Sequence, residues 1–190
     1  MNYPDRLPTF DTARLVCRPV EDRDADALFS MYANAEAMRY WSRPPMTDVA
    51  EARTMIERWR GFFANREALT WGITQRGEGR VIGTHTLFHF HEQSRRCEIG
   101  YILARDYWGR GYMREALAVL VDYAFYSLDL CRIEADVDPR NIASVRALEH
   151  FGFVREGLLR ERWRVGDVVS DSLLLGLLRG DREQATGRRK

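Results

Sequence analysis

A long amphipathic helix held between two strand-like runs constrains this chain more than any other feature. Residues 95–103 read as a strand. Residues 109–126 put Met113, Ala116, Leu117, Leu120, Val121 and Ala124 on one helical face. In residues 131–137, Cys131, Ile133, Ala135 and Val137 alternate strictly with Arg132, Glu134 and Asp136. The remaining strand signals are hairpins: residues 69–75 and 81–90 flank Gly77-Glu78-Gly79, and two strands within 153–178 meet at Gly166-Asp167. One helical crossover among hairpins predicts a mixed sheet with helices on both faces, an α+β domain.

Around that unit the sequence supplies a strand at Arg14–Val20 and a helix whose apolar face is Ala25, Leu28, Phe29 and Tyr32, capped by Asp22 or Asp24. A capping-box pattern, Asp48 with Glu51, opens a second helix carrying Ala52, Met55, Ile56, Trp59 and Phe63. Gly152 stands where a helix C-terminus needs positive φ. No repeat or linker divides the 190 residues, so residues 1–180 read as a single domain and 181–190, DREQATGRRK, as a polar tail.

The 29 basic and 28 acidic residues leave a formal charge of +1, which excludes a strongly basic nucleic-acid binder. No direct nucleic-acid contact is expected, and the chain is read as a monomer or homodimer. The N-terminus lacks a secretory pattern and no apolar run approaches the ~18 residues of a membrane span, so the protein is read as cytoplasmic, without a membrane partner. Cys17, Cys97 and Cys131 form no CxxC pair. His85, His89 and His91 share one strand face at period two, but His85 and His89 lie about 13 Å apart at ~3.3 Å per residue, too far for one ion. No metal site is expected.

Chemistry concentrates in EIGYILARDYWGRGYMREAL, residues 98–117. A turn with Gly109 and Gly111 leads into the long helix, presenting unpaired backbone N–H groups at the positive end of the helix dipole, where a phosphate can sit. A plain turn with a helix cap is the competing reading. The segment lacks both the GK[ST] ending of a P-loop and the third glycine of G-x-G-x-x-G.

The second informative block is DVDPRNIASVRALEHFGFVREG, residues 136–157. Together the blocks resemble the GNAT superfamily of acetyl-CoA-dependent N-acetyltransferases, in its RimJ/RimL-like branch. The likeness extends from RLVCRP near residue 14 to DSLLLGLL near residue 178. Its specific parts are Glu98-Ile99-Gly100-Tyr101, Tyr107-Trp108-Gly109-Arg110-Gly111-Tyr112-Met113, Asn141 with Ser144, and EHFGF at 149–153. Trp108 and Met113 occupy the outer positions of the family's pyrophosphate loop, and Leu148 stands where many members have a tyrosine acid.

The resemblance implies a mostly antiparallel sheet of about six to seven strands whose central pair splays to form the acetyl-CoA cleft. It implies acetyl-CoA as co-substrate, with Ile99, Tyr101, Ile102 and Leu103 beside its pantetheine arm and thioester. Trp108, Gly109, Arg110, Gly111, Tyr112, Met113 and Arg114 fall at its phosphates, and Asn141 and Ser144 again beside the arm. Arg110 and Arg114 read equally as solvent-facing residues, and Asn141 and Ser144 as helix caps.

An amine attacking a thioester needs a base for its ammonium and a proton for the departing thiolate. Glu98 is the candidate base, through a water; its alternative is a surface pairing with Arg95 or Arg96. Ser144 is the candidate thiolate-protonating group. Trp41, Trp59, Trp71 and Trp163 could wall an acceptor site or lie in the core, and Asp171 could attract an amine. Three functions remain open: acetylation of a protein or peptide α-amine, which the branch favours, acetylation of a small amine, and a non-catalytic acyl-CoA-binding module.

Overall fold

A computed structural model describes residues 1–186. The strands are β1 (Phe10–Asp11), β2 (Leu15–Pro19), β3 (Ala68–Gln75), β4 (Val81–His91), β5 (Arg96–Leu103), β6 (Arg132–Val137), β7 (Val154–Val165) and β8 (Val168–Leu178). They form an eight-stranded sheet in the order β1-β2-β3-β4-β5-β6-β8-β7. Only β5 and β6 pair in parallel, and the helix between them is the crossover that such pairing requires. The sequence expectation of six to seven strands misses β1, whose two residues are too few to show a period; Phe10 stacks near Trp71 at 5.4 Å and Tyr123 at 5.0 Å.

The helices are α1 (Ala25–Tyr32), α2 (Val49–Ala64), α3 (Tyr112–Asp122), α4 (Ile142–His150) and α5 (Arg179–Thr186). One core cluster joins α3 and α4 to the sheet through Leu69, Trp71, Ile73, Leu117, Leu120 and Leu148. A second joins α1 and α2 to the opposite face through Leu28, Ile56, Val81 and Ile102. This double covering changes the reading of β3: all of Ala68 to Thr74 is buried, so the alternation distinguishes two dry faces rather than core from solvent. Gly72 fits closely there: a Cβ would lie 3.0 Å from a Val81 methyl and 3.3 Å from a Val20 methyl.

Three local expectations are corrected. The long helix does not begin at Gly109; α3 starts at Tyr112 because Gly109 and Gly111 have φ of +73° and +77°, outside the right-handed helical region. It ends in a π-turn over Tyr123–Ser127, closed by the Leu128 N–H on the Tyr123 carbonyl at 3.0 Å. Residues 181–186, expected as polar tail, lie in α5: Arg182 bonds the Asp122 carboxylate at 3.0 Å and stacks over Phe151 at 5.5 Å. Polar contacts hold this helix, so no apolar period announces it; the rest of the expected tail, 187–190, lies outside the described residues.

The three histidines do not share a face. A bulge between Phe88 and His91 breaks the β4 register, leaving His89 exposed at φ +50° while His85 is wholly buried, edge-on to Trp71 at 5.5 Å. Neither His85 ring nitrogen has a hydrogen-bond partner among the described residues, and burial pushes the imidazole down to about 3. His85 is therefore neutral when folded, whereas the unfolded chain protonates it near pH 6.5. Its contribution is complete above that pH and is lost as pH falls toward 3, at up to ~1.4 kcal/mol per pH unit. Between pH 6.5 and 5, urea unfolding should show His85→Phe losing about 2 kcal/mol less stability than the parent; equal losses would assign the acid sensitivity to other groups.

Candidate active site

The parallel pair separates soon after it forms. Pairing runs from Arg96↔Arg132 to Glu98↔Glu134 and stops, although β5 continues to Leu103 and β6 to Val137. From Ile99 onward the facing backbone edges are unpaired, and a gap of ≈ 280 Å³ opens between the strands. Glu98, Ile99 and Tyr101 line one side; Asp136, Asn141 and Ser144 are among those lining the other. Ile102 and Leu103 turn their side chains into the two cores and neither lines the gap; the Ile102 carbonyl points toward Gly83 of β4.

Beyond β5 the chain makes a short turn at Arg105–Tyr107 and passes Trp108 to the two glycines. Trp108 Nε1 donates to the Leu103 carbonyl at 2.7 Å, tying the loop to the end of β5. Asp48 caps α2 and Asn141 caps α4, whereas among the described residues no side chain caps α1 or α3, and the N-cap position of α3 is Gly111. The first N–H groups of α3 therefore have no side-chain cap among the described residues. Arg105 stacks over Trp108 at 5.0 Å and pairs with Glu36 at 2.8 Å, Arg110 stacks over Tyr107 at 5.8 Å, and Arg114 is exposed on the first turn of α3. Tyr112 and Met113 are partly buried; the Tyr112 hydroxyl accepts from Gln75 at 3.0 Å beneath Arg14, so that side chain braces the helix.

At the other end of the gap, Glu98 Oε1 lies 3.0 Å from His89 Nδ1. The β4 bulge aims His89 there. Arg95 and Arg96 pair instead with Asp129 and Glu134, which overturns the alternative pairing expected for Glu98. Asn141 Oδ1 accepts from the Ser144 N–H at 3.2 Å, so the expected capping role is real while both residues also line the gap. The Ser144 hydroxyl meets the Tyr101 hydroxyl at 2.8 Å, and burial raises the Tyr101 phenol to about 12, keeping it protonated. Leu148 is fully buried at the wall. Asp136 holds Ser172 and Arg162, the latter at 3.2 Å.

A second cavity, ≈ 590 Å³, lies between α1, α2 and the sheet. It shares Trp41, Phe88, Gly100 and Tyr101 with the gap, so the two spaces adjoin at Gly100, where the Phe88 ring packs close to the bare backbone. Trp41 and Trp59 wall this cavity and Trp163 borders the gap, whereas Trp71 belongs to the core, its Nε1 donating to the Pro8 carbonyl at 2.8 Å. Asp171 lines neither space and accepts from the Glu161 N–H at 2.8 Å. Glu156 is tied to Arg132. Sequence reasoning missed Tyr40, Arg43, Arg58, Phe88 and Asp136 as lining residues, because no motif marks them.

Comparison with known proteins agrees with this fold. The family model described as an acetyltransferase (GNAT) domain matches residues 14–154. The chain is 38% identical to the N-acetyltransferase p20 of Bacillus licheniformis, covering 88% of this chain and 97% of that one. It is 28% identical to the [ribosomal protein uS5]-alanine N-acetyltransferase of Escherichia coli, over 90% of each. Among solved structures, Mycobacterium smegmatis RimJ in complex with CoA-disulfide superimposes with a TM-score of 0.77 at 29% identity, covering 92% of this chain and 90% of that one.

Proposed function

The chain belongs to the GNAT acetyltransferase family, and from that premise we propose that it acetylates the α-amine of a protein or peptide N-terminus by direct attack on acetyl-CoA in a ternary complex. It is an acyltransferase, and acetyl-CoA is its acetyl donor. The finer reading rests on one observation: two spaces, one of them opened by the separation of β5 from β6, adjoin at Gly100 and Tyr101 beside Glu98.

The residues present suit the donor. Backbone N–H groups at the start of α3 receive the pyrophosphate, with Arg110 and Arg114 adding positive charge. The edge of β5 beyond Glu98 that faces β6, whose Leu103 carbonyl Trp108 already engages, offers hydrogen bonds to the amide-bearing arm, and one N–H there steadies the thioester oxygen as charge develops. The acceptor arrives from the α1/α2 side. Glu98, held by His89, takes a proton from its ammonium through a water, and the free amine attacks the thioester carbonyl. The tetrahedral intermediate expels the thiolate as its nitrogen sheds the remaining extra proton to water, giving the amide, and Ser144, held by Tyr101, relays a proton to the sulfur and regains one from that water. Bringing two substrates together at one aperture supplies a large share of the acceleration, on the order of 7–11 kcal/mol in the best intramolecular cases. No helix among the described residues is long and apolar enough to cross a membrane.

The peptide reading is tested with synthetic peptides carrying both a free N-terminus and an internal lysine. Mass spectrometry should place the acetyl group on the α-amine. Modification confined to the lysine, or to polyamines in a mixed assay, would reject the peptide acceptor while leaving the acetyltransferase chemistry intact.

A further inference from the structure

The α1/α2 cavity is lined in a way that selects among amines. Its walls are aromatic, with Trp41, Trp59 and Phe88 around the approach to Gly100, and its charged groups are Arg43, Arg58 and Glu51. Glu51 is committed elsewhere. Its Oε1 accepts from the Thr47 and Asp48 N–H groups at 2.7 and 3.1 Å as part of the α2 capping box. Those backbone bonds, with a smaller contribution from Arg43, hold its carboxyl below the usual range.

The arginines are not committed. Arg43 is partly buried, its guanidinium over the Tyr32 ring at 4.9 Å and 3.6 Å from Met55 Sδ. Arg58 stands at the mouth over Phe62 at 5.9 Å. Among the described residues no ion pair engages either one, whereas Arg14, Arg18, Arg132 and Arg140 each hold a carboxylate. A guanidinium held over an aromatic face and partly withdrawn from water, with the nearby Glu51 carboxylate already bonded to backbone N–H groups, favours an incoming anion and disfavours a second cation.

We propose that this cavity binds an acceptor amine that also carries a carboxylate, which pairs with Arg43 while an apolar or aromatic portion lies against Trp41, Trp59 and Phe88. The inference rests on the acetyltransferase reading and narrows its substrate class: polycationic amines are excluded, and acid-bearing α-amines are selected. The carboxylate can be an Asp or Glu side chain close to a peptide N-terminus, or the terminal carboxylate of an amino acid. A cavity of ≈ 590 Å³ accommodates either.

Matched acceptors distinguish these sources. Thiol release from acetyl-CoA is measured with Ala-Asp-Phe-amide against Ala-Asn-Phe-amide, with phenylalanine against phenylalaninamide, and with spermidine. At least one acid should exceed its amide partner by about 10-fold or more in kcat/KM, expressed mainly in KM, as expected for a charge-assisted hydrogen bond. Preference in the peptide pair assigns the side-chain source; preference in the phenylalanine pair assigns the terminal one. Arg43→Gln should shrink the ratio to about twofold, and Arg43→Lys should restore part of it. Equal rates within both pairs, or preference for spermidine, would overturn the proposal. Calorimetry of N-acetyl-phenylalanine and N-acetyl-Ala-Asp-Phe-amide against their neutral counterparts, with CoA present, tests the pocket without turnover. Tighter binding of an acid supports the pocket even if no amine is acetylated, and equal binding in both pairs overturns it.

Discussion

Gly111→Val should weaken acetyl-CoA binding by about 100-fold or more, since each charge-assisted hydrogen bond lost is worth about 1.5–3 kcal/mol. Gly111 sits at φ +77° at the start of an α-helix that no side chain caps. A β-branched residue avoids that conformation, so the turn would rotate and carry the adjacent N–H groups away from the phosphates. A strain effect alone must be separated from a binding effect, and Gly77→Val does so. Gly77 has φ +84° with open space around its Cβ position, in the β3–β4 turn away from the gap. Both variants should lose comparable stability, but only Gly111→Val should lose affinity by calorimetry. Wild-type affinity in Gly111→Val would put the phosphate site elsewhere.

Glu98→Gln should lower kcat by roughly 10²-fold, the low end for losing a general base, while acetyl-CoA affinity stays at its starting value. The substitution preserves shape and removes the charge that accepts the ammonium proton. Glu98 stands at the last paired position of β5 and β6, so its carboxylate lies at the head of the gap and beside the junction with the second cavity. Its partner is His89 rather than an arginine. An exposed structural carboxylate would give a different outcome: unimpaired transfer with, at most, a small change in stability.

The parts of the molecule with strong internal periods were legible in the sequence. The crossover helix and β6 carried their buried faces openly, and Asp48 with Glu51 formed the expected capping box. What escaped depends on contacts between distant segments or on backbone angles. The start of α3 moved to Tyr112 because the two glycines take positive φ. His89 left the face of His85 because a bulge adds residues to one strand, which alternation cannot register. Tyr101 and Ser144 were both named beside the donor, but the bond between them spans 43 positions and has no local signature. Arg43 was hidden for a similar reason: one arginine in a loop means little until Tyr32, Met55 and the sheet close around it.

The opposed charges of the two spaces also have no trace in a formal total of +1. The gap carries Glu98 at its head, and the second cavity carries Arg43 and Arg58 beside Glu51, whose carboxylate caps α2. An amine that is also an acid matches both ends, its ammonium toward the base and its carboxylate toward the guanidinium groups.

The most direct test of the whole account is the initial rate of thiol release from acetyl-CoA as donor and peptide amine are varied together. Direct transfer in a ternary complex predicts release that requires the amine, with double-reciprocal lines that intersect. Parallel lines, or no amine-dependent release from a protein that binds acetyl-CoA, would contradict it.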